Sequence, residues 1–470
     1  MGRGRNFCNQ FVSTQEIAAE ILTEVDVGEE LISVKEATKK VINSLYKDLP
    51  MLKDVKVRGS IHAYVIESLK RRNTIDFVIE LCLKGKSIDE LNPFLRNVLR
   101  IGVYEMLYHN VHPALATDST VRIAKKLGYG AASLVNAVMR KAESVDIQKE
   151  LKKLNPIKKM AIELHHPEWY VKMALRLVGK DAVELMQSNL KDVTYVRVNE
   201  IKASVESVRR YLEKHCELSE TILPYVFKVE EWDKHPSILE WHEEGKYVVQ
   251  DLASAIAAHV LSPEPGDFVL DLAAAPGIKT SQLAMLMENR GRIVAVDNSR
   301  SRLERMIAKM RQLGVEVVEC RLGDGASFKV EEKADKVLLD PPCSTTGAVR
   351  KYPCIKWRFN MEKFKSTISL QRKMVENALR AGNSVLYSTC SITFEENEGN
   401  MVLFEDCIEK IRCREVNRWR SYGIKKFGRI RFKKWRSVAR FWPHIHDCCG
   451  FFVALLNSEN SKNYDLKNVK

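Results

Sequence analysis

From Thr14 to about Ala142 apolar residues recur every three or four positions, and almost no stretch alternates. Leu95, Val98, Leu99, Gly102, Val103, Met106 and Leu107 form one such stripe; Leu134, Val138 and Met139 form another beside Asn136. This spacing stacks apolar side chains on one helix face and predicts a compact all-helical domain. A Lys-rich junction with Pro156 follows, where a linker is expected. His166-Pro167-Glu168-Trp169 then opens a helix through about Leu190, Val193 to Asn199 alternates like a strand, and a helix around Val205 to Lys214 precedes short strands to Val249. That is a small α+β module. After Gln250 strands and helices alternate, with strands expected at Val269 to Leu272, Arg292 to Val296, Val315 to Glu319, Lys336 to Leu339 and Asn383 to Tyr387. Such alternation predicts a doubly wound, Rossmann-like parallel sheet, so the fold class is multidomain: helical bundle, α+β module, α/β domain. The expected divisions are 1–148, 149–249 and 250–457, with a polar, frayed tail over 458–470.

A chain of 470 residues agrees with that division, since one domain takes about 150 residues. The balance of 75 Lys plus Arg against 61 Asp plus Glu gives +14 at pH 7, which favours a polyanionic partner, nucleic acid being the commonest. Arginines of the helical region (Arg58, Arg71, Arg72, Arg96, Arg100, Arg140) read on their own as a solvated face. The 11 cysteines contain no Cys-x-x-Cys, so neither a disulfide framework nor a zinc ribbon is encoded and no metal is expected. After Arg3 and Arg5 the chain continues into polar residues rather than a signal-peptide core, and no run of about 18 apolar residues occurs. A cytoplasmic chain without a membrane span is expected, and nothing demands more than a monomer.

The first α/β strand ends in Asp271-Leu272-Ala273-Ala274-Ala275-Pro276-Gly277-Ile278-Lys279-Thr280. Its small side chains would let a ligand approach the backbone. It is neither Gly-x-Gly-x-x-Gly nor a Walker loop, which weakens dinucleotide and triphosphate readings. Asp297 ends the second strand, where a carboxylate can take both hydroxyls of a ribose, and Asp324 follows the third, where one could meet an adenine amino group. Carboxylates at successive strand ends and no phosphate cradle describe S-adenosylmethionine better than NAD.

Two cysteines each follow a strand: Cys343 in Asp340-Pro341-Pro342-Cys343-Ser344 and Cys390 in Thr389-Cys390-Ser391. Residues just beyond the carboxyl ends of parallel strands can face one pocket. Carbon 5 of a pyrimidine is a poor nucleophile until a thiolate adds to carbon 6, and cysteine supplies that thiolate near neutral pH. Asp340 is placed to hydrogen-bond the cytosine ring nitrogen and amino group as charge develops. Spacing alone does not decide which cysteine attacks.

These two motifs, with Ala274-Ala275-Pro276-Gly277-x-Lys279-Thr280, closely resemble the RNA 5-methylcytosine methyltransferases of the RsmB/Sun family. Further matches are Arg197-Val198-Asn199, Gln250-Asp251-x-Ala253-Ser254, and Arg440-x-x-Pro443-His444-x-His446 followed by Gly450-Phe451-Phe452. Leu-Arg-x-x-Leu-Arg-Ile-Gly from Leu95 and Leu-Val-Asn-Ala-Val-Met-Arg from Leu134 resemble the helical RNA-binding domain of the NusB family. The resemblance implies an RNA cytosine-5 methyltransferase that acts on ribosomal RNA. It makes Cys390 the nucleophile and Cys343 the residue that assists product release. It also places S-adenosylmethionine on Ala273, Ala274, Ala275, Pro276, Gly277, Ile278, Lys279, Asp297, Asp324 and Asp340, with Arg302 as a further contact, and Lys279 orients the base pocket or the Asp cluster. Two departures stand out. Ile278 replaces a usual second glycine, which would strain the loop if that position needed a positive φ, and Cys449 stands where an acidic or amide residue commonly precedes Gly-Phe-Phe.

Between Cys407 and Arg440 runs a basic stretch with interleaved aromatics, among them Arg418, Trp419, Tyr422, Phe427, Arg429, Arg431, Phe432, Lys433, Lys434, Trp435 and Arg436. Cations bind phosphates and aromatic faces stack unpaired bases, so RNA contact is expected there. The alternatives are a transfer-RNA cytosine-5 methyltransferase, a non-catalytic NusB-like RNA-binding factor, and an exocyclic-amine methyltransferase. The last of these usually has an aromatic where Cys343 stands.

Overall fold

The computed structural model describes residues 12–27, 33–83, 85–230 and 236–463. Arg3, Arg5 and the tail beyond Asn463 lie outside the described residues. The chain forms two compact units, Met1–Met186 with Tyr352–Arg358, and Gln187–Lys351 with Phe359–Lys470. The first break of the chain between units thus falls near residue 186, whereas the sequence puts its first division at 148. Pro156 does not mark a linker: it is the first residue of the helix Pro156–Glu163, capped by Asn155, whose Oδ1 accepts from Lys158 N at 2.9 Å. Proline suits that position because the missing N–H would have no helical partner.

The first unit is helical, with its main helices at Thr14–Val27, Val55–Cys82, Pro93–Tyr108, Pro113–Ala124 and Tyr129–Glu143. The predicted stripe is its core: Leu95, Val98, Leu99 and Val103 are buried with Ile17, Leu22, Ile75 and Val138. Its arginines depart from the expected solvated face. Arg100 is buried; its Nε and Nη2 donate to Asp76 at 2.7 and 2.8 Å, and its Nη1 donates to Asp26 at 2.6 Å. Arg72 and Arg96 also face Asp26, and Arg71 pairs with Glu67. Arg58 and Arg140 alone of the six are exposed. Tyr352–Arg358 supplies this unit with Lys356, wholly buried, whose Nζ donates to the carbonyls of Lys70 and His165 at 2.8 and 2.7 Å. Burial pushes its ammonium well below the ordinary lysine range.

The second unit opens with an antiparallel sheet of β1 (Thr194–Val198), β2 (Glu217–Glu220), β3 (Val226–Glu230) and β4 (Tyr247–Val249), ordered β2-β3-β1-β4. The larger sheet contains β5 (Phe268–Asp271), β6 (Arg292–Asp297), β7 (Val318–Leu322), β8 (Ala334–Leu339), β9 (Gly382–Thr389) and β10 (Ile408–Glu409). A separate hairpin pairs β11 (Lys426–Phe427) with β12 (Ile430–Arg431). The large sheet closes with β13 (Ala439–Phe441) and β14 (Phe451–Asn457), in the order β10-β14-β9-β8-β5-β6-β7 with β13 on β14. Pairs among β5 to β9 are parallel, while β14 runs antiparallel to β9. The chain moves outward from β5 through β6 and β7, then returns to β8 on the other side of β5. This creates a switch point between β5 and β8, where ligands of open α/β sheets bind.

The third strand lies three residues later than its pattern predicts. Gly314 ends the preceding helix at φ 69°, and Val315 N still bonds Met310 O at 3.0 Å, so the turn consumes the start of the apolar run. Ser458–Asn463 forms a 3-10 helix, so the first part of the expected tail is ordered. No described helix is long and apolar enough to cross a membrane.

Asp26 provides a stability test. Burial alone would raise its carboxyl, but Arg72, Arg100 and Arg96 outweigh that and hold it below the ordinary value of 3.8. A depressed folded value means that the stabilisation is fully present above the unfolded pKa and lost as pH falls through the folded one. Asp26→Ala, which leaves Arg100 buried with one carboxylate fewer, is expected to cost about 3 kcal/mol. Chemical denaturation from pH 7 to pH 3 checks both: the variant starts lower, and its stability falls less on acidification than that of the wild type.

Candidate active site

The parallel register of β8 and β9 sets Leu339 opposite Tyr387, so the next residues of each strand, Asp340 and Ser388, emerge side by side. Ser388 Oγ donates to Asp340 Oδ1 at 3.0 Å. From there Pro341 and Pro342 carry the chain to Cys343, and Thr389 carries it to Cys390. The two sulfurs lie 3.3 Å apart, both half-buried. The neighbouring Cys390, burial and the Glu396 and Asp340 carboxylates push the Cys343 thiol well above its ordinary range. Two thiols this close cannot both ionise cheaply, and of the two it is Cys343 whose ionisation is opposed by its surroundings.

Across the switch point, Lys279 Nζ donates to Asp340 Oδ2 at 2.6 Å and lies 5.2 Å from the Phe451 ring centre. Burial alone would lower this ammonium, but Asp340 outweighs burial and keeps it charged. Asp340 is thus fixed by two donors, one from the helix after β5 and one from the end of β9. Asp271, at the end of β5, is buried; Thr280 Oγ1 donates to its Oδ2 at 2.7 Å, while its Oδ1 has no partner among the described residues. Burial raises this carboxyl to about 7.

Ala273, Ala274, Ala275, Pro276 and Gly277 form the loop after β5, and Ala274 N bonds Val296 O at 2.9 Å. Gly277 carries the positive φ, 91°, and a Cβ there would lie 2.8 Å from Met306. Ile278 is already the first helical residue, so its β-branch meets no strain and that expected difficulty does not arise. Asp297 ends β6 and accepts from Ala275 N at 3.3 Å, Ser299 N at 2.9 Å and Arg302 at 2.9 Å. It therefore holds the loop as well as facing it, and Arg302 is its ion-pair partner. Asp324 lies exposed in the turn after β7, accepting from Ala326 N at 3.0 Å. A loop without bulky side chains, carboxylates at the ends of β6 and β7 and an orphaned carboxylate oxygen on β5 fit S-adenosylmethionine: its ribose and adenine offer donors, its amino group a cation, and it has no phosphate.

Several motif residues brace this site rather than line it. Arg197 is fully buried, donating to Gln250 Oε1 at 2.6 Å and Ser281 Oγ at 2.9 Å, and burial lowers its guanidinium to about 10. Asn199 donates to the carbonyls of Gly245 and Leu313, both at 2.8 Å. Arg440 pairs with Glu398 and donates to the carbonyls of Ile392 and Thr393 just beyond Cys390. Gly347 and Gly450 are in backbone contact: a Cβ on Gly347 would sit 2.0 Å from Gly450 O. The Cys449 departure is absorbed by its backbone, whose N–H donates to both oxygens of Asp251 at 3.2 Å. Sequence reasoning missed Ser388, Asp271, Gln371 and Glu396, because serine, glutamine and single carboxylates carry no spacing signal.

The basic stretch divides by burial. Arg418, Lys425, Lys426, Arg429, Arg431, Lys433, Lys434 and Arg436 are exposed, as is Tyr422. Phe432 is wholly buried and Trp419 packs against Phe441 and His446, so neither offers a stacking face. Trp435 is half-buried under Arg436, whose guanidinium carbon lies 4.5 Å from the ring centre.

Comparison with known proteins bears on this geometry. The profile of the 16S rRNA methyltransferase RsmB/F family matches residues 258–457, and that of the NusB family matches 12–144. A protein-L-isoaspartate(D-aspartate) O-methyltransferase profile matches 181–334, ending before Asp340 and both site thiols. The probable ribosomal RNA small subunit methyltransferase B of Synechocystis is 28% identical over 414 residues, covering 83% of this chain and 88% of that protein. The tRNA (cytosine(49)-C(5))-methyltransferase of Pyrococcus abyssi is 32% identical over 269 residues, covering 55% of this chain and 86% of that one. The crystal structure of PH0851 superposes with a TM-score of 0.77 at 27% identity, covering 96% of this chain and 100% of that one. With a helical unit of NusB type and a Rossmann-like sheet bearing two adjacent thiols just beyond β8 and β9, this chain belongs to the RsmB/F family of S-adenosylmethionine-dependent RNA cytosine-C5 methyltransferases.

Proposed function

We propose that this chain methylates carbon 5 of a cytosine in ribosomal RNA, with transfer RNA as the alternative substrate, through a covalent bond from Cys390 to carbon 6. The 3.3 Å approach of Cys343 and Cys390 beside the Asp340–Lys279 pair is the observation that carries this reading. The target base enters the pocket extruded from its stack. Asp340, held by Lys279 and Ser388, hydrogen-bonds the cytosine edge and stabilises the adduct. The Cys390 thiolate adds to carbon 6, and the electron pair moves toward carbon 5. S-adenosylmethionine, held by the Ala273 to Lys279 loop, Asp297 with Arg302, Asp324 and Asp340, supplies an electrophilic methyl group when bound. Loss of the carbon-5 proton to a base and departure of the Cys390 sulfur restore the ring. Cys343, carrying its proton beside that sulfur, donates a hydrogen bond to it as it becomes a thiolate and so eases its departure. The helical unit, the small α+β module at 149–249 and the exposed cations of the basic stretch bind and position the RNA.

Variants at the thiols, the cofactor loop and the basic stretch test the reading. Cys343→Ala is expected to accumulate a protein–RNA adduct on denaturing gels, whereas Cys390→Ala gives neither adduct nor product; the opposite pattern overturns the roles. In the wild-type reaction, nucleoside mass spectrometry must find 5-methylcytosine rather than N4-methylcytosine. Asp297→Ala should weaken S-adenosylmethionine binding by calorimetry about tenfold or more, since it removes hydrogen bonds to a charged acceptor. Replacing Arg429, Arg431 and Lys433 with alanine should weaken RNA binding and flatten its log–log salt dependence by about 0.7 for every phosphate left unneutralised.

A further inference from the structure

Beneath the two thiols lies a carboxylate that forms no ion pair among the described residues. Glu396 is fully buried, and a dense set of donors surrounds it. Ser344 N donates to its Oε1 at 2.7 Å and Gln371 Nε2 to the same oxygen at 3.1 Å. Thr393 Oγ1 donates to Oε2 at 3.0 Å, and so does Ser344 Oγ. Gln371 Nε2 also donates to Pro342 O at 2.9 Å, so the residues on both sides of Cys343 are held from this one point. Thr393 stands in the loop after Cys390, and Ser391 Oγ, one residue beyond Cys390, lies 3.2 Å from Ser344 Oγ and 3.0 Å from Thr346 Oγ1. Gly347 N donates to Cys390 O at 2.9 Å, closing the circuit between the two loops.

We propose that Glu396 is the positioning residue of the thiol pair: its carboxylate ties the backbone after Cys343 to the loop after Cys390 through Ser344, Gln371 and Thr393, and places a buried negative charge on the Cys343 side. An amide at this place could have satisfied the same neutral groups, so the charge is the feature that needs a reason. Burying an unpaired carboxylate is costly unless several donors converge on it, as they do here. The charged and titratable groups around Cys343 are Cys390, Glu396, Asp340 and the buried Tyr387 hydroxyl, which stays neutral. Of these, Asp340 is neutralised by Lys279, and Cys390 is the group that must ionise; Glu396 is left to oppose a second thiolate. This inference rests on the reading that Cys390 attacks and Cys343 assists departure, for which a protonated Cys343 is required.

The test reads the thiols in the full-length protein without RNA. Alkylation of Cys343 and Cys390 by iodoacetamide is followed against pH by peptide mass spectrometry in the wild type, Glu396→Gln and Glu396→Asp. Glutamine keeps the shape: its oxygen can accept from Ser344 N and Gln371, while its amino group meets the Ser344 and Thr393 hydroxyls, which accept as well as donate. In Glu396→Gln, alkylation of Cys343 near neutral pH should rise about tenfold, the size of a one-unit fall in thiol pKa, with binding of S-adenosylmethionine retained. Glu396→Asp keeps the charge on a shorter stem, so Cys343 should stay slow to alkylate while turnover falls with little change in the KM for RNA. An unchanged Cys343 profile in Glu396→Gln overturns the proposal, as does a Glu396→Asp protein with wild-type turnover. Because the alkylation profile needs no methyl transfer, a shifted profile in a protein that makes no 5-methylcytosine would uphold the coupling of Glu396 to Cys343 and sink the proposed function instead.

Discussion

Leu339 opposite Tyr387 is the pairing on which the site depends. A parallel ladder fixes which residues leave two adjacent strands at the same height, and a slip of one residue would send Asp340 and Ser388 to opposite faces of the sheet. With the register as it is, Asp340 meets Ser388 directly, and each chain then needs only two or three residues to bring a cysteine over the sheet edge. β5 occupies the other side of β8, so the helix that follows it can deliver Lys279 to the same carboxylate. Three strand ends therefore converge without any long loop, at the switch point between β5 and β8.

Register brings the cysteines near each other but cannot hold two irregular loops 3.3 Å apart at sulfur. That falls to buried polar groups. Ser344, Thr346, Ser391 and Thr393 form a hydroxyl cluster around Glu396, Arg440 takes the carbonyls of Ile392 and Thr393, and the glycine pair Gly347 and Gly450 allows the chain after Cys343 to lie against the start of β14. Such a network adds little net stability, because each group gives up water to join it. What it contributes is uniqueness, since any member left unpaired inside is costly, and that penalty excludes other loop conformations.

The architecture was legible in the sequence because period and burial coincide there. The stripe from Leu95 to Leu107 is the core face of a helix, and the five apolar runs after Gln250 are the five parallel strands, the largest displacement being where Gly314 takes extra residues for its turn. The two thiols were legible as motifs, and their meeting followed from the rule about strand ends. Other features could not be read. Arg72, Arg96 and Arg100 look like surface residues until Asp26, at least 46 positions away in sequence, arrives beside them. Phe432 and Trp419 look like stacking platforms because an aromatic in a basic run carries no sign of which way it points. Ile278 looked strained only because the sequence does not say that Gly277 alone takes the left-handed conformation.

The electrostatics of the site follow from the same geometry. A nucleophilic thiolate needs positive charge nearby, and the ammonium at the switch point, Lys279, is already committed to Asp340 at 2.6 Å. It can favour one sulfur but has no charge to spare for a second. Two equivalent thiols would compete for that charge, and nothing would decide which of them ionises. Glu396 breaks that equivalence, since it accepts directly from Ser344 N, one residue from Cys343, and reaches the Cys390 side through the Thr393 hydroxyl and, by way of Ser344 Oγ, through Ser391. An asymmetric pair needs one carboxylate placed nearer one cysteine than the other, and a loop register that keeps it there.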